Sequence, residues 1–191
     1  MRQVNEPVTD ICATPIWVTK LLERWYRTEC AIAVIAYSLI AIVLIADVMG
    51  REILGPIFRS LEIKGQAGVY GAAKMSVYSL VVASFIGIGI ATASGSHLRP
   101  RVGFSWIPTR WGPSMDRLAD FVSGGFMFGL AWYGSVYVYS IFESGLRSPA
   151  FDIPLWPMQA TIPLGFLSAG LRYLAFCRWP ALRPIPSEVQ E

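Results

Sequence analysis

Residues 30–46 read "CAIAVIAYSLIAIVLIA", seventeen residues without a charge, closed by Glu29 on one side and Asp47 on the other. A run of this length and apolarity suits a membrane-crossing helix, which needs about 17–25 mostly apolar residues at about 1.5 Å each. Three more uncharged runs follow: Met75 to Ser96, Phe121 to Phe142, and the stretch between Asp152 and Arg172. The fold class expected is therefore all-α, a membrane-embedded bundle of four transmembrane helices near 28–51, 67–95, 115–143 and 157–178. The flanks are an N-terminal segment 1–27, long enough for an interfacial helix, and a tail 179–191.

The composition agrees. Of 191 residues 54% are hydrophobic and 15% charged, against about 25% charged in soluble domains. Such a chain lacks the polar surface of a soluble globule, and much of its outside must face lipid. Strands of a membrane barrel would alternate in segments of about ten residues, and these runs do not alternate. With no basic block interleaved with exposed aromatics, nucleic acid is not an expected partner. Residues 1–27 are mixed polar rather than a signal peptide, and no apolar stretch precedes Cys12 as in a lipoprotein.

Charge sets the orientation, because short cytoplasmic loops collect Lys and Arg. With four spans, Arg2, Lys20, Arg24, Arg27, Arg99, Arg101, Arg110, Arg117, Arg172, Arg178 and Arg183 share one side. Arg51, Arg59, Lys64, Lys74 and Arg147 share the other. Both termini are thus expected in the cytoplasm. Cys12, Cys30 and Cys177 fall on or near that reducing side, so no structural disulfide is expected.

Inside the membrane, small residues let helix backbones approach. Ser79, Ala83, Gly87, Ala91 and Gly95 recur every fourth position on helix two, and Gly125 and Gly129 do so on helix three. Helix two is expected at the centre of the bundle. Pro163 is expected to kink helix four. Trp132 and Tyr133 each carry a polar group at mid-span and are expected against another helix. Asp47 and Arg51 stand one turn apart, and with Lys74 they form an expected ionic cluster at the periplasmic end. The loop containing Arg147, Pro149, Asp152, Pro154 and Trp156 reads either as a stiff connector or as a docking loop. His97, with Arg99 and Arg101, marks where helix two leaves the bilayer, and by spacing alone it is a solvated loop residue.

Catalytic motifs are missing: there is no Gly-x-Ser-x-Gly, no Walker loop and no His-Glu-x-x-His. A haem held by two histidines needs one more than the chain contains. No catalytic, cofactor-binding or metal-binding residue is expected.

Three segments carry a family likeness. "ADVMGREILG" (46–55), "GSHLRPRVGFSWIP" (95–108) and "SPAFDIPLWPMQATIPLGFLSAGLRYL" (148–174) resemble, in order and spacing, the small permease subunit of tripartite ATP-independent periplasmic (TRAP) transporters, the DctQ-like family. The likeness covers about residues 28–175 and gives His97 an importance that spacing did not. One departure is "LEIKGQAGVYGAAK" (61–74), where the family often has a glutamate pair and this chain has Glu62 alone. The resemblance implies a non-enzymatic subunit that braces a large, elevator-type permease subunit. It also implies a periplasmic substrate-binding protein, an organic acid as substrate, and a coupling cation, typically sodium, bound by the large subunit. The alternative from another class is a tetraspan anchor of a haem or quinone oxidoreductase.

Overall fold

The structure, a computed structural model, describes residues 15–61, 67–95 and 112–183. Helix α1 runs Ile16–Met49, passes through a π-helical turn Gly50–Leu54, and continues as α2, Gly55–Ser60. Helix α3 spans Ala72–Ser94 and α4 spans Gly112–Glu143. A short α5, Trp156–Gln159, leads into α6, Thr161–Arg178, and a 3-10 turn Pro180–Leu182 follows. Among the described residues, four helical segments are long and apolar enough to cross a membrane.

Helix one begins twelve residues before the expected start at 28. "IWVTKLLERWYRT" is polar on one side only, and nothing in it breaks a helix, so the apolar span continues straight into it. Helix four is one span, Trp156–Arg178, interrupted at Ala160 between α5 and α6. The cause is Pro163: lacking an N–H, it leaves the carbonyl of Gln159, four residues earlier, without its helical donor. Thr161 Oγ1 donates to the Met158 carbonyl at 2.7 Å, relieving one more carbonyl at the break.

The helices form a row, in the spatial order α1–α3–α6–α4. Helix α3 packs on α1 and α6, and α6 packs on α4; no comparable packing joins α1 to α4 among the described residues. Helix two is therefore internal, but it shares that position with helix four. Glycines set the crossing points. A β-carbon at Gly165 would strike the Phe85 backbone of α3, and one at Gly134 of α4 would meet Pro163 at 3.4 Å. Phe85 and Phe166 stack edge-to-face, 5.7 Å between centroids, beside the first crossing.

The outer helices each present one seam to the row. On α1 the inward positions are Glu29, Ala33, Ala36, Ile40, Val43 and Asp47; on α4 they are Asp120, Gly124, Met127, Ala131, Gly134, Val138 and Ile141. These steps of four and three average 3.6 residues on α1 and 3.5 on α4, close to the repeat that keeps a seam facing a neighbouring helix. Away from the seams, large apolar side chains such as Ile35, Ile42, Ile45, Phe126 and Leu164 stand exposed, as lipid-facing residues must.

Candidate functional site

The features that distinguish this row from any apolar sheet of helices are two buried carboxylates on α1. Glu29 and Asp47 lie eighteen residues apart, five turns of about 3.6, so both point along the same seam. Their axial separation is about 27 Å, close to the thickness of a bilayer's hydrocarbon core. Each therefore sits near one membrane boundary.

At the first boundary, Glu29 is 8% exposed and Arg172 of α6 is 4% exposed. Arg172 donates to Glu29 Oε2 at 2.5 Å. Glu29 Oε1 accepts from Trp25 Nε1 at 2.8 Å and from the Ser168 hydroxyl. Glu29 reaches α6 across α3, and it passes at Gly89. A β-carbon there would lie 2.5 Å from Glu29 Oε1 and 2.9 Å from Ser168 Oγ. Three helices thus meet at one glycine. A lone charge so deep would be very costly; a paired and hydrogen-bonded one is tolerated. In the sequence Glu29 and Arg172 stand at the edges of apolar runs. Arg172 lies inside α6, within the helix expected over 157–178, and neither side chain faces solvent. The available signal was the five-turn spacing from Glu29 to Asp47.

At the second boundary, Arg51 clamps Asp47, Nε to Oδ1 at 3.2 Å and NH2 to Oδ2 at 2.9 Å. Oδ1 also accepts the Val69 backbone N–H at 2.9 Å, which draws residues 67–69 onto the helix. Gly68 and Gly50 leave room for this: a β-carbon on Gly68 would lie 2.5 Å from Asp47 Oδ1, and one on Gly50 would strike the Ala67 carbonyl. Lys74, expected in the cluster, is exposed and makes no ion pair among the described residues. It stands in the first turn of α3, while the place beside Asp47 is taken by the backbone of Val69.

A third ionic group closes the far end of the row. Arg183 donates from Nε to Asp120 Oδ2 at 2.8 Å and from NH1 to Asp116 Oδ2 at 3.3 Å, fastening the residues after α6 to the start of α4. Asp120 has no exposed surface.

The ladder on helix two divides. Ala83 is fully buried, whereas a β-carbon on Gly87 would meet nothing within 4 Å. Ser79, Ala91 and Gly95 are half-buried. Residues four apart drift about 40° per step on a helix, so five in a row swing about 160° and cannot keep to one neighbour. Gly125 and Gly129 likewise face open space, because the α4 seam runs through Gly124 and Gly134. Trp132 and Tyr133, expected against another helix, are 71% and 75% exposed, flanking that seam on the side away from α6.

In the loop after α4, Arg147 pairs with Asp152 at 3.0 Å, and Pro154 sits across a single β-bridge from Arg147. Ser148 accepts the Tyr78 hydroxyl at 2.9 Å, Phe151 covers Gly71, and Trp156 stacks on Phe142. Pro149 is exposed. The loop is thus pinned to α3 and α4. His97, Arg99 and Arg101 lie outside the described residues.

Residues 40–179 match the family described as the DctQ component of tripartite ATP-independent periplasmic transporters. The chain is also 27% identical, over 148 residues, to the ectoine TRAP transporter small permease protein TeaB of Halomonas elongata, covering 78% of this chain and 71% of that one. No solved structure matches. A row of four apolar helices, tied at its boundaries by buried ion pairs and matched by this family over most of its length, is a multi-pass transporter subunit: the chain belongs to the DctQ family of TRAP transporter small permeases.

Proposed function

We propose that the chain is a static brace in the bacterial inner membrane, with both termini in the cytoplasm. It enlarges the bilayer footprint of a large, elevator-type permease subunit. That partner binds the coupling cation, sodium, and carries the solute that a periplasmic binding protein delivers. The solute class is a small organic molecule, with an organic acid as the first candidate. Ectoine, in the Halomonas relative's name, is itself a small organic zwitterion that carries a carboxylate.

Family membership carries the reading, and the internal geometry supports it. The buried charges Glu29, Asp47, Asp120 and Arg172 are each paired with a partner side chain near the ends of the spans, which suits a rigid part rather than a moving one. The oxidoreductase anchor draws no support from the family.

The test is reconstitution in liposomes under a sodium gradient. The chain alone is expected to move no solute above empty vesicles. With large subunit and binding protein added, uptake is expected and is lost when this chain is left out. Uptake by the chain alone, or full uptake without it, overturns the reading.

A further inference from the structure

Helix α1 begins fourteen residues before its apolar run, and this extension has two unlike sides. Val18, Leu22, Tyr26 and Glu29 continue the seam toward the row. Lys20, Arg24 and Arg27, all exposed, lie within about 60° of one another on the opposite side. Beside them runs an exposed apolar strip, Trp17 and Leu21, with Trp25 at its inner edge. Glu23 is the one acidic group among the cations and pairs with Arg27 at 2.5 Å. Glu29, the nearest other carboxylate on α1, is turned inward and neutralised by Arg172.

We propose that this outward face of α1 binds the headgroups of anionic phospholipids in the leaflet at that end of the helix. The inference uses only the fact that α1 spans a membrane and is independent of the transport role.

Depth supports it. Counted from Cys30, Arg27 and Arg24 stand about 4.5 and 9 Å along the axis, within or at the edge of a headgroup layer about 5–8 Å thick. Lys20 lies about 15 Å out, and its stem reaches back toward the interface. The continuous helix Ile16–Phe58 has 43 residues, about 64 Å, which exceeds any bilayer and is relieved by tilt. Tilting toward the Trp17–Leu21 strip lays those side chains on the interface and sets the three cations among phosphates. Charge then selects the lipid: a cation near an anionic surface contributes about 1 kcal/mol, or about five-fold.

The test is lipid selectivity at the protein boundary, measured with spin-labelled phosphatidylglycerol and phosphatidylcholine on the full chain in vesicles of the two lipids. Phosphatidylglycerol is expected to be preferred several-fold, the preference falling as salt is raised. Lys20→Gln, Arg24→Gln and Arg27→Gln together should remove most of it, while Arg147→Gln, at the opposite boundary, should leave it intact. Glu23→Gln should raise it, a gain that misfolding cannot mimic. Equal association of both lipids with the natural chain overturns the proposal. So does full preference in the triple variant, or no gain in Glu23→Gln. Loss of the preference once the large subunit is bound would show that a protein covers this face, and overturns it too.

Discussion

Gly89 and Gly87 are two residues apart on the same helix and face opposite circumstances. A methyl group at Gly89 collides with Glu29 and Ser168; one at Gly87 enters open space. Gly89→Ala is therefore expected to destabilise the chain by about 1–3 kcal/mol, the usual cost of overpacking. Gly87→Ala should be neutral or slightly stabilising, since Ala is the better helix former. Thermal unfolding of both variants in one detergent checks the pair, and equal losses would refute the packing at Gly89. Glu29→Gln should cost about 3–5 kcal/mol, because it strands a buried guanidinium. Adding Arg172→Met should recover part of that loss; strictly additive losses would mean the two side chains are not coupled.

At the scale of the element, the break between α5 and α6 belongs to Pro163. Pro163→Ala restores the missing N–H and is expected to make residues 156–178 one continuous helix. Amide exchange at residues 162 and 164 should then slow, and the new amide at 163 should be protected. The Pro163 atoms that face Gly134 are its backbone N and Cα, which alanine keeps, so the contact of α4 with α6 should hold. Helix positions were legible because apolar runs of spanning length have few other uses, but lengths were not: α1 starts twelve residues before its apolar run suggested. The faces were not. On a lipid-exposed helix both sides are apolar, so hydropathy does not separate neighbour from solvent as it does in a soluble helix. The seams of α1 and α4 are marked instead by small residues in steps of four and three, Ala33 to Ala36 and Ala131 to Gly134. A strict every-fourth rule passes over that pattern. Glu29 and Arg172 were hidden for a related reason: a charge at the end of an apolar run reads as its boundary, and only the partner reveals that it is inside.

For the molecule as a whole, a row one helix thick buries little of itself. Trp132 and Tyr133 are largely exposed, so Trp132→Ala should change the stability of the isolated chain by no more than about 0.5 kcal/mol. Phe176→Ala, in the buried interior of the row, should cost about 3–5 kcal/mol. A comparable loss for Trp132→Ala in the isolated chain would mean that α4 is turned differently from the arrangement described here.

The order α1–α3–α6–α4 differs from the order of synthesis. Helices α1 and α3 emerge first and can pair at once. Among the described residues the next to emerge, α4, has no neighbour waiting for it, because its one extensive partner there, α6, is made after it. During translation α4 must therefore stand alone in the bilayer until α6 arrives and wedges between it and α3. The Arg183–Asp120 pair is then the final stitch, made from residues near the end of the chain. A polypeptide stopped before Trp156 is expected to hold a protected α1–α3 hairpin and an unattached α4, the latter open to membrane proteases. Quality control of this subunit would in that case read the arrival of its last helix.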